Sequence, residues 1–303
     1  MDKQKNLTII ILSYNSSHII KSCLNGFNFD KYEVLVVDNA SKDNTVEIVK
    51  NNFPQVKILK LDKNFGYGGG NNIALKQVKT EFVLILNPDS IISENDIEIV
   101  LEEMKKNPTV ANAGPVVLKQ YPLQKEEYDA KLDHMAQDFK GIKDCYWEKI
   151  GGNYSVRFIV GAALFLRMSI LQKIGFFDEK IFLYYEDDEL CKRIRDNGYK
   201  SMIVPEAKAF HMGGGSSAEV SFRCIYKKSW HLSWSKFYWK KIQKGNFRAK
   251  KSSLKFALVY FVKAVFSMLT FNSEKAFANL GSASGAFSFF IGLGAFKKNG
   301  IAR

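Results

Sequence analysis

Cysteine is scarce and scattered. The four in 303 residues, Cys23, Cys145, Cys191 and Cys224, show no paired spacing, which excludes both a disulfide framework and a zinc ribbon and suits a reducing compartment. Acid is almost missing from the last quarter: residues 223–303 hold 16 Lys and Arg against one acid, Glu274. The first 222 residues hold 28 basic and 30 acidic residues, so the net charge of +13 belongs to the tail rather than to the main body. Basicity confined in this way points to a surface that the tail touches, anionic lipid or nucleic acid. The N-terminal apolar run meets Ser13 and Asn15 too soon for a signal peptide, so no export is expected. With 46% hydrophobic residues the chain can bury a full core, and disorder is not the default.

What is present alternates. Residues 7–12 and 33–37 are short β-branched runs ending in polar residues, and residues 16–27 between them carry helical apolar spacing. The alternation continues with a helix at 45–52, a strand at 56–61, a helix at 71–79 and a strand at 82–86. An α/β chain with a mostly parallel central sheet flanked by helices is expected. Residues 119–155 loosen into an aperiodic stretch, read as an insertion that could shape a substrate pocket. A strand at 157–166 and a helix at 188–197 follow, and the composition changes near residue 220. The expected domains are therefore 1–220, the α/β body, and 221–303, a basic, aromatic-rich helical appendage.

Ligands of such sheets collect at the carboxyl ends of strands, which here read SYN at 13–15, VDNAS at 37–41 and LNPDS at 86–90. The glycines Gly66, Gly68, Gly69 and Gly70 precede Asn71 and Asn72 at a helix start, where backbone can approach a ligand closely. Four consecutive carboxylates, Glu186, Asp187, Asp188 and Glu189, open another helix. They repel one another, so a cation, a helix N-terminus or a proton-transfer task is expected to use the charge.

The ordered set SYNSS, VVDNASKDNT, NFGYGGGNN, LNPDS, GFFDEKIFLYYEDDELCKRIRDNGY and VPEAKAFHMGGGSS resembles the family 2 glycosyltransferases, in their bacterial rhamnosyltransferase-like branch. The resemblance spans roughly residues 6–240 and implies the GT-A fold. It implies Asp187 as catalytic base with Glu186 as alternate, and Asp89 with His211 as ligands of a divalent cation, Mn²⁺ or Mg²⁺, the imidazole favouring Mn²⁺. Asn87 stands where the family has the first acid of its DxD motif, and Glu189 where it has Asp. Tyr14, Asn15, Asp38 and Asn39 correspond to contacts with the donor's base, and Gly69, Asn71 and Asn87 complete the nucleotide set. His18 and His134 have no matched partners and are read as ordinary residues.

The resemblance further implies an inverting transferase moving a sugar, best L-rhamnose from dTDP-rhamnose, onto a polyprenyl-diphosphate-linked or other saccharide acceptor in bacterial cell-surface polysaccharide synthesis. A UDP-hexose or UDP-galactofuranose donor is the alternative. Trp230, Trp234 and Trp239 among lysines, and two apolar stretches at 254–271 and 276–296, fit peripheral or monotopic attachment to an anionic membrane at its cytoplasmic face, with simple packing of the aromatic helix as the alternative for the tryptophans and a membrane span or soluble core as the alternatives for 276–296. A nucleic-acid-binding tail and a nucleotidyltransferase are the rival readings, with no nucleic acid expected as partner and an oligomer allowed.

Overall fold

In the computed structural model, residues 5–118, 148–150, 152–212, 221–297 and 300–303 are described. Most of the stretch expected as an insertion, residues 119–147, lies outside them. The chain divides into two compact units. The first comprises Met1–Asp62, Asn71–Phe176 and Leu190–Ser216; the second comprises Lys63–Gly70, Phe177–Glu189 and Ser217–Arg303.

The first unit is built on a ten-stranded sheet. Its strands are β1 (Leu7–Ser13), β2 (Glu33–Asp38), β3 (Lys57–Lys60), β4 (Phe82–Leu86), β5 (Ser90–Ile92), β6 (Val110–Leu118), β7 (Glu148–Ile150), β8 (Asn153–Ser155), β9 (Ala163–Arg167) and β10 (Lys200–His211). The order is β3-β2-β1-β4-β9-β6-β10-β8-β7, with β5 on β10. β3, β2, β1 and β4 run parallel, as do β6 and β10. β9 enters antiparallel to both β4 and β6. Every residue of β4, FVLIL, is buried, as a strand covered on both faces requires.

Helices α1 (Ile20–Leu24), α2 (Thr45–Asn52), α4 (Glu94–Lys106) and α5 (Met168–Ile174) belong to this unit. Ser93 caps α4 by accepting the Asp96 N–H at 3.1 Å. Ile97, Val100, Leu101 and Met104 on α4 are buried, and they share one core with Ile9, Ile11, Val36, Leu84 and Phe165 of the sheet. Arg167, buried at the end of β9, lies over the Phe82 ring at 4.8 Å and donates to the carbonyls of Val110 and Met104.

Helix α3 (Gly66–Leu75) begins five residues before the expected start and takes in the glycine run. Glycine weakens an isolated helix, so packing decides here. A Cβ on Gly66, whose φ is +77°, would sit 2.1 Å from the Phe182 carbonyl oxygen, and one on Gly68 would sit 2.9 Å from Phe177 Cβ. A Cβ on Gly69 would meet Phe65 at 3.1 Å. The close approach expected towards a ligand is, for Gly66 and Gly68, spent on the 177–182 segment of the second unit, to which both glycines belong.

Three long helices dominate the second unit: α7 (Phe222–Lys244), α8 (Asn246–Leu269) and α9 (Ser273–Phe290). Gly245, at φ +84°, turns the chain between the first two. Trp230, Trp234 and Phe237 of α7 pack with Ala249 and Ala257 of α8 and Ala286 and Phe289 of α9. Trp230 and Trp234, for which the sequence leaves membrane contact and simple packing both open, are each only 4% exposed. Their rings fill this core, and Trp234 Nε1 donates to the Leu293 carbonyl at 2.7 Å. His231 is buried against Phe182, with ring centroids 4.3 Å apart. Burial, with Lys227 nearby, pushes its pKa down to about 4.

Candidate functional site

The predicted residues fall into two groups, one in each unit. In the sheet unit, the carboxyl ends of β1 and β2 are stitched together by side chain to backbone bonds. The Asn15 N–H donates to Ser41 Oγ at 2.9 Å, the Lys42 N–H to Asn15 Oδ1 at 2.8 Å and the Ser16 N–H to Thr45 Oγ1 at 2.9 Å. Asn15 and Ala40 both take positive φ, 52° and 65°, a conformation favoured only by such local bonding. Asn15 therefore spends its side-chain oxygen on the loop itself. Asp38 and Asn39 are buried, and Asp38 Oδ1 accepts the Ser41 N–H at 3.3 Å, an Asx-type turn. Tyr14 is 39% exposed, and Asn71 is fully buried on α3.

Asp89 follows β4 directly. Pairing of β5 with β10 sets His211 opposite Ser90, and the Met212 N–H donates to the Asp89 carbonyl at 3.0 Å, so strand register brings the imidazole to the carboxylate. His211 Nε2 lies 3.2 Å from Asp89 Oδ1 and 3.5 Å from Asn87 Nδ2. Although the imidazole nitrogen is so near, Asp89 Oδ1 is buried and receives no hydrogen bond, and Ser90 Oγ beside it is equally unsatisfied. Two lone-pair-bearing atoms facing one another in a buried site are repulsive unless a proton or a cation lies between them. Cys23 feels the same charge: burial first, then Asp89, pushes its thiol up to about 12.

One carboxylate oxygen and one imidazole nitrogen form a mixed O/N donor set suited to Mn²⁺, and less well to Mg²⁺. Among the described residues no group of three His, Cys, Asp or Glu side chains is gathered. A cation there would therefore complete its coordination with water or the oxygens of a bound diphosphate.

The other group opens α6 (Glu186–Asp196), whose first turn carries all four acids. Glu186 is 7% exposed, and its Oε2 has no hydrogen-bond partner. Burial, then the charges of Asp187 and Asp188, push its carboxyl up to about 8, so desolvation outweighs the favourable helix N-terminus. Asp187 is half-buried, and its Oδ1 accepts the Asp188 N–H at 3.0 Å. The half-buried Tyr67 has its hydroxyl held well above its ordinary pKa, by desolvation first and then by the charges of Glu186 and Asp187.

Sequence reasoning missed Tyr184 and Tyr185. Both adopt left-handed φ, 69° and 68°, immediately before the acids. Two consecutive non-glycine residues in that region carry about 1–3 kcal/mol of strain each, and such strain gathers at functional sites. The segment is held by its neighbours: Ser235 Oγ donates to the Leu183 carbonyl at 2.8 Å and the Tyr67 N–H to the Phe182 carbonyl at 2.9 Å. The aromatic pair ahead of the acids was the available signal, but dihedral angles are not written in composition. The helical unit also holds a cavity of about 430 Å³ lined by Lys180, Trp234, Tyr238, Lys241 and Lys250 among others, and none of the predicted site residues lines it.

The sheet order with polar strand ends defines the class: a GT-A fold, shared with solved glycosyltransferases. The mannosyltransferase PcManGT of Pyrobaculum calidifontis, in complex with GDP-Man and Mn²⁺, superimposes with a TM-score of 0.58 at 16% identity, covering 96% of this chain and 88% of that one. S. aureus TarS 1-349 in complex with UDP-GlcNAc gives 0.51 at 17% identity, covering 95% and 92%. The family model of glycosyl transferase family 2 matches residues 8–175, and the chain belongs to that family. An N-acetylglucosaminyl-diphospho-decaprenol L-rhamnosyltransferase of Mycobacterium tuberculosis is 24% identical over 205 residues, covering 59% of this chain and 66% of the relative. Rhamnosyltransferase WbbL of Escherichia coli K12 is 26% identical over 243 residues, covering 74% and 89%. The chain thus spans just under two thirds of the length of the mycobacterial relative.

Proposed function

We propose that the chain transfers a sugar, best L-rhamnose from dTDP-L-rhamnose, onto a lipid-linked saccharide with inversion at the anomeric carbon. The reading is carried by the buried Asp89 carboxylate, whose Oδ1 lies 3.2 Å from His211 Nε2 just past the end of β4. Membership of the family supports sugar transfer. Two relatives named as rhamnosyltransferases support the donor, and the lipid-diphosphate in one of their names supports the acceptor. On this reading residues 1–220 carry the chemistry and residues 221–303 attach the enzyme to the cytoplasmic face of the membrane.

Asp89 and His211 would hold the divalent cation, with Asn87 beside them, and a cation held there would supply positive charge against the departing diphosphate. Asp38, Asn39 and Tyr14 face the nucleotide base, with Asn15 shaping their loop. Asp187 takes the proton of the acceptor hydroxyl as that oxygen bonds to the anomeric carbon and the carbon–phosphate-oxygen bond breaks, releasing nucleoside diphosphate. Glu186, whose buried carboxyl is pushed up by desolvation and then by the charges of Asp187 and Asp188, stands beside it as the alternate base.

The test measures melting temperature and product together. Mn²⁺ with dTDP is expected to raise the melting temperature of the parent chain and not that of Asp89→Ala, since a ligand confined to the native state stabilises it. Turnover is expected to release nucleoside diphosphate. Release of pyrophosphate would mark a nucleotidyltransferase instead, and an equal Mn²⁺ shift in Asp89→Ala would remove Asp89 as ligand.

A further inference from the structure

Helix α8 is amphipathic the wrong way round for water. Its buried stripe is made of small residues, Ala249, Ser253, Ala257, Ala264 and Ser267, and Asn279 of α9 reaches Ser267 Oγ at 3.2 Å. Its large apolar side chains face outward: Leu258 is 62% exposed, Val262 67%, Phe266 67% and Leu269 73%, with Phe271 just beyond at 95%. A helix of a water-soluble protein turns its large apolar residues to the core. Contiguous exposed apolar surface on this scale marks a site of contact with a partner or a membrane.

α9 makes the contrast inside the same unit. Its expected apolar stretch is uncharged, yet a Cβ on Gly281 or Gly285 would lie 2.3 or 2.2 Å from the carbonyl oxygens of Tyr226 and Trp230. Its small residues let α9 and α7 pack backbone to backbone, and Ala276, Ala283, Ala286 and Phe289 are buried there, although Phe287 and Ile291 stay exposed. The length and mean hydropathy of Asn246–Leu269, 1.5 over its most apolar window, would also suit a membrane span.

We infer that the outer face of α8, residues 258–271, inserts side-on into the headgroup and acyl boundary of a bilayer rich in anionic phospholipid. Charge selects lipid over a protein partner. Exposed Arg248, Lys251 and Lys255 precede the apolar band, exposed Lys275 follows it, and Glu274 is the one acid in residues 223–303. Lys263, inside the band, folds its ammonium over the Tyr260 ring at 4.6 Å, the posture of a lysine that buries its stem and keeps its charge at the rim. The helical part of this band, residues 258–269, covers about 18 Å, which suits lying in the interface. This deepens the membrane reading above, and its test does not depend on sugar transfer.

The experiment is flotation of the full chain with phosphatidylglycerol/phosphatidylcholine vesicles and with pure phosphatidylcholine vesicles, for the parent and for Val262→Glu/Phe266→Glu. Both positions are solvent-facing, so the double variant is expected to fold with an unchanged melting temperature. The expected results are binding to the anionic vesicles, weaker binding to the neutral ones, and a loss of about tenfold or more in the variant. In a Phe266→Trp chain, phospholipids brominated on the acyl chain are expected to quench fluorescence more than in the parent. No flotation, equal flotation of parent and double variant, or a lipid-free dimer that the double variant dissolves would each overturn the inference. If the double variant also keeps turnover of donor with a water-soluble acceptor, loss of lipid contact is separated from loss of catalysis.

Discussion

Phe82, Leu84 and Phe165 of the sheet unit are fully buried, whereas Val262, Phe266 and Leu269 of the helical unit are more than half exposed while Ala264 and Ser267 lie inside. In the first unit, apolar volume closes the core and polar groups collect at strand ends, where Asp89, Asn87 and His211 meet. In the second, small residues bring helices together and free the large ones for another medium. Burial is therefore set by which residues permit close approach as well as by which are apolar. The most uncharged stretch of the tail is not its most exposed one.

The largest effect should come from the sheet core. Leu84→Ala is expected to lose about 2–5 kcal/mol of stability in denaturant unfolding; a loss below 1 kcal/mol would break the comparison on that side. Next is Gly281→Val, whose side chain would meet the Tyr226 backbone. Overpacking of this kind destabilises by about 1–3 kcal/mol, read as a lowered melting temperature.

The third prediction concerns pH. Glu186 has a folded pKa of about 8 against an ordinary 4.5, so the native state binds its proton more readily than the unfolded state does. Its contribution is present below the unfolded value and is lost as pH rises through the folded one, with a slope of at most about 1.4 kcal/mol per pH unit. Glu186→Gln should flatten the fall in melting temperature between pH 5 and pH 8.5, and an unchanged slope would contradict its burial as a charged-state penalty.

The smallest effect is the most telling for the helical unit. Phe266→Ala should change the stability of the lipid-free protein by no more than about 0.5 kcal/mol, as surface substitutions do. A loss comparable to that of Leu84→Ala would show the face already covered in solution.

Much of this was legible in the chain. The strand at 82–86 and the helix at 45–52 were readable to the residue, because fully apolar β-branched runs and a short helix between turn signals leave few alternatives. Asp89 and His211 were legible as motifs, though only strand register explains why they meet. The close approach at Gly66 and Gly68 could not be placed, since glycine permits close approach without naming what approaches, and Phe177 and Phe182 lie far away in sequence. The strained Tyr184 and Tyr185 left no trace in composition. The two apolar stretches of the tail differ by charge, Lys255 and Lys263 falling in the first alone, but their packing follows from where the small residues lie, which matters only once helices meet.

The central claim is that Asp187 is the base of a transfer whose leaving diphosphate is managed from Asp89 and His211. The most direct measurement is single-turnover transfer from dTDP-L-rhamnose in Mn²⁺ by the parent chain, Asp187→Asn and Glu186→Gln, each shown to be folded. The account predicts a fall of about 10²–10⁴-fold for Asp187→Asn and less than about tenfold for Glu186→Gln at neutral pH. Full transfer by a folded Asp187→Asn, or the larger loss falling on Glu186→Gln, would contradict it.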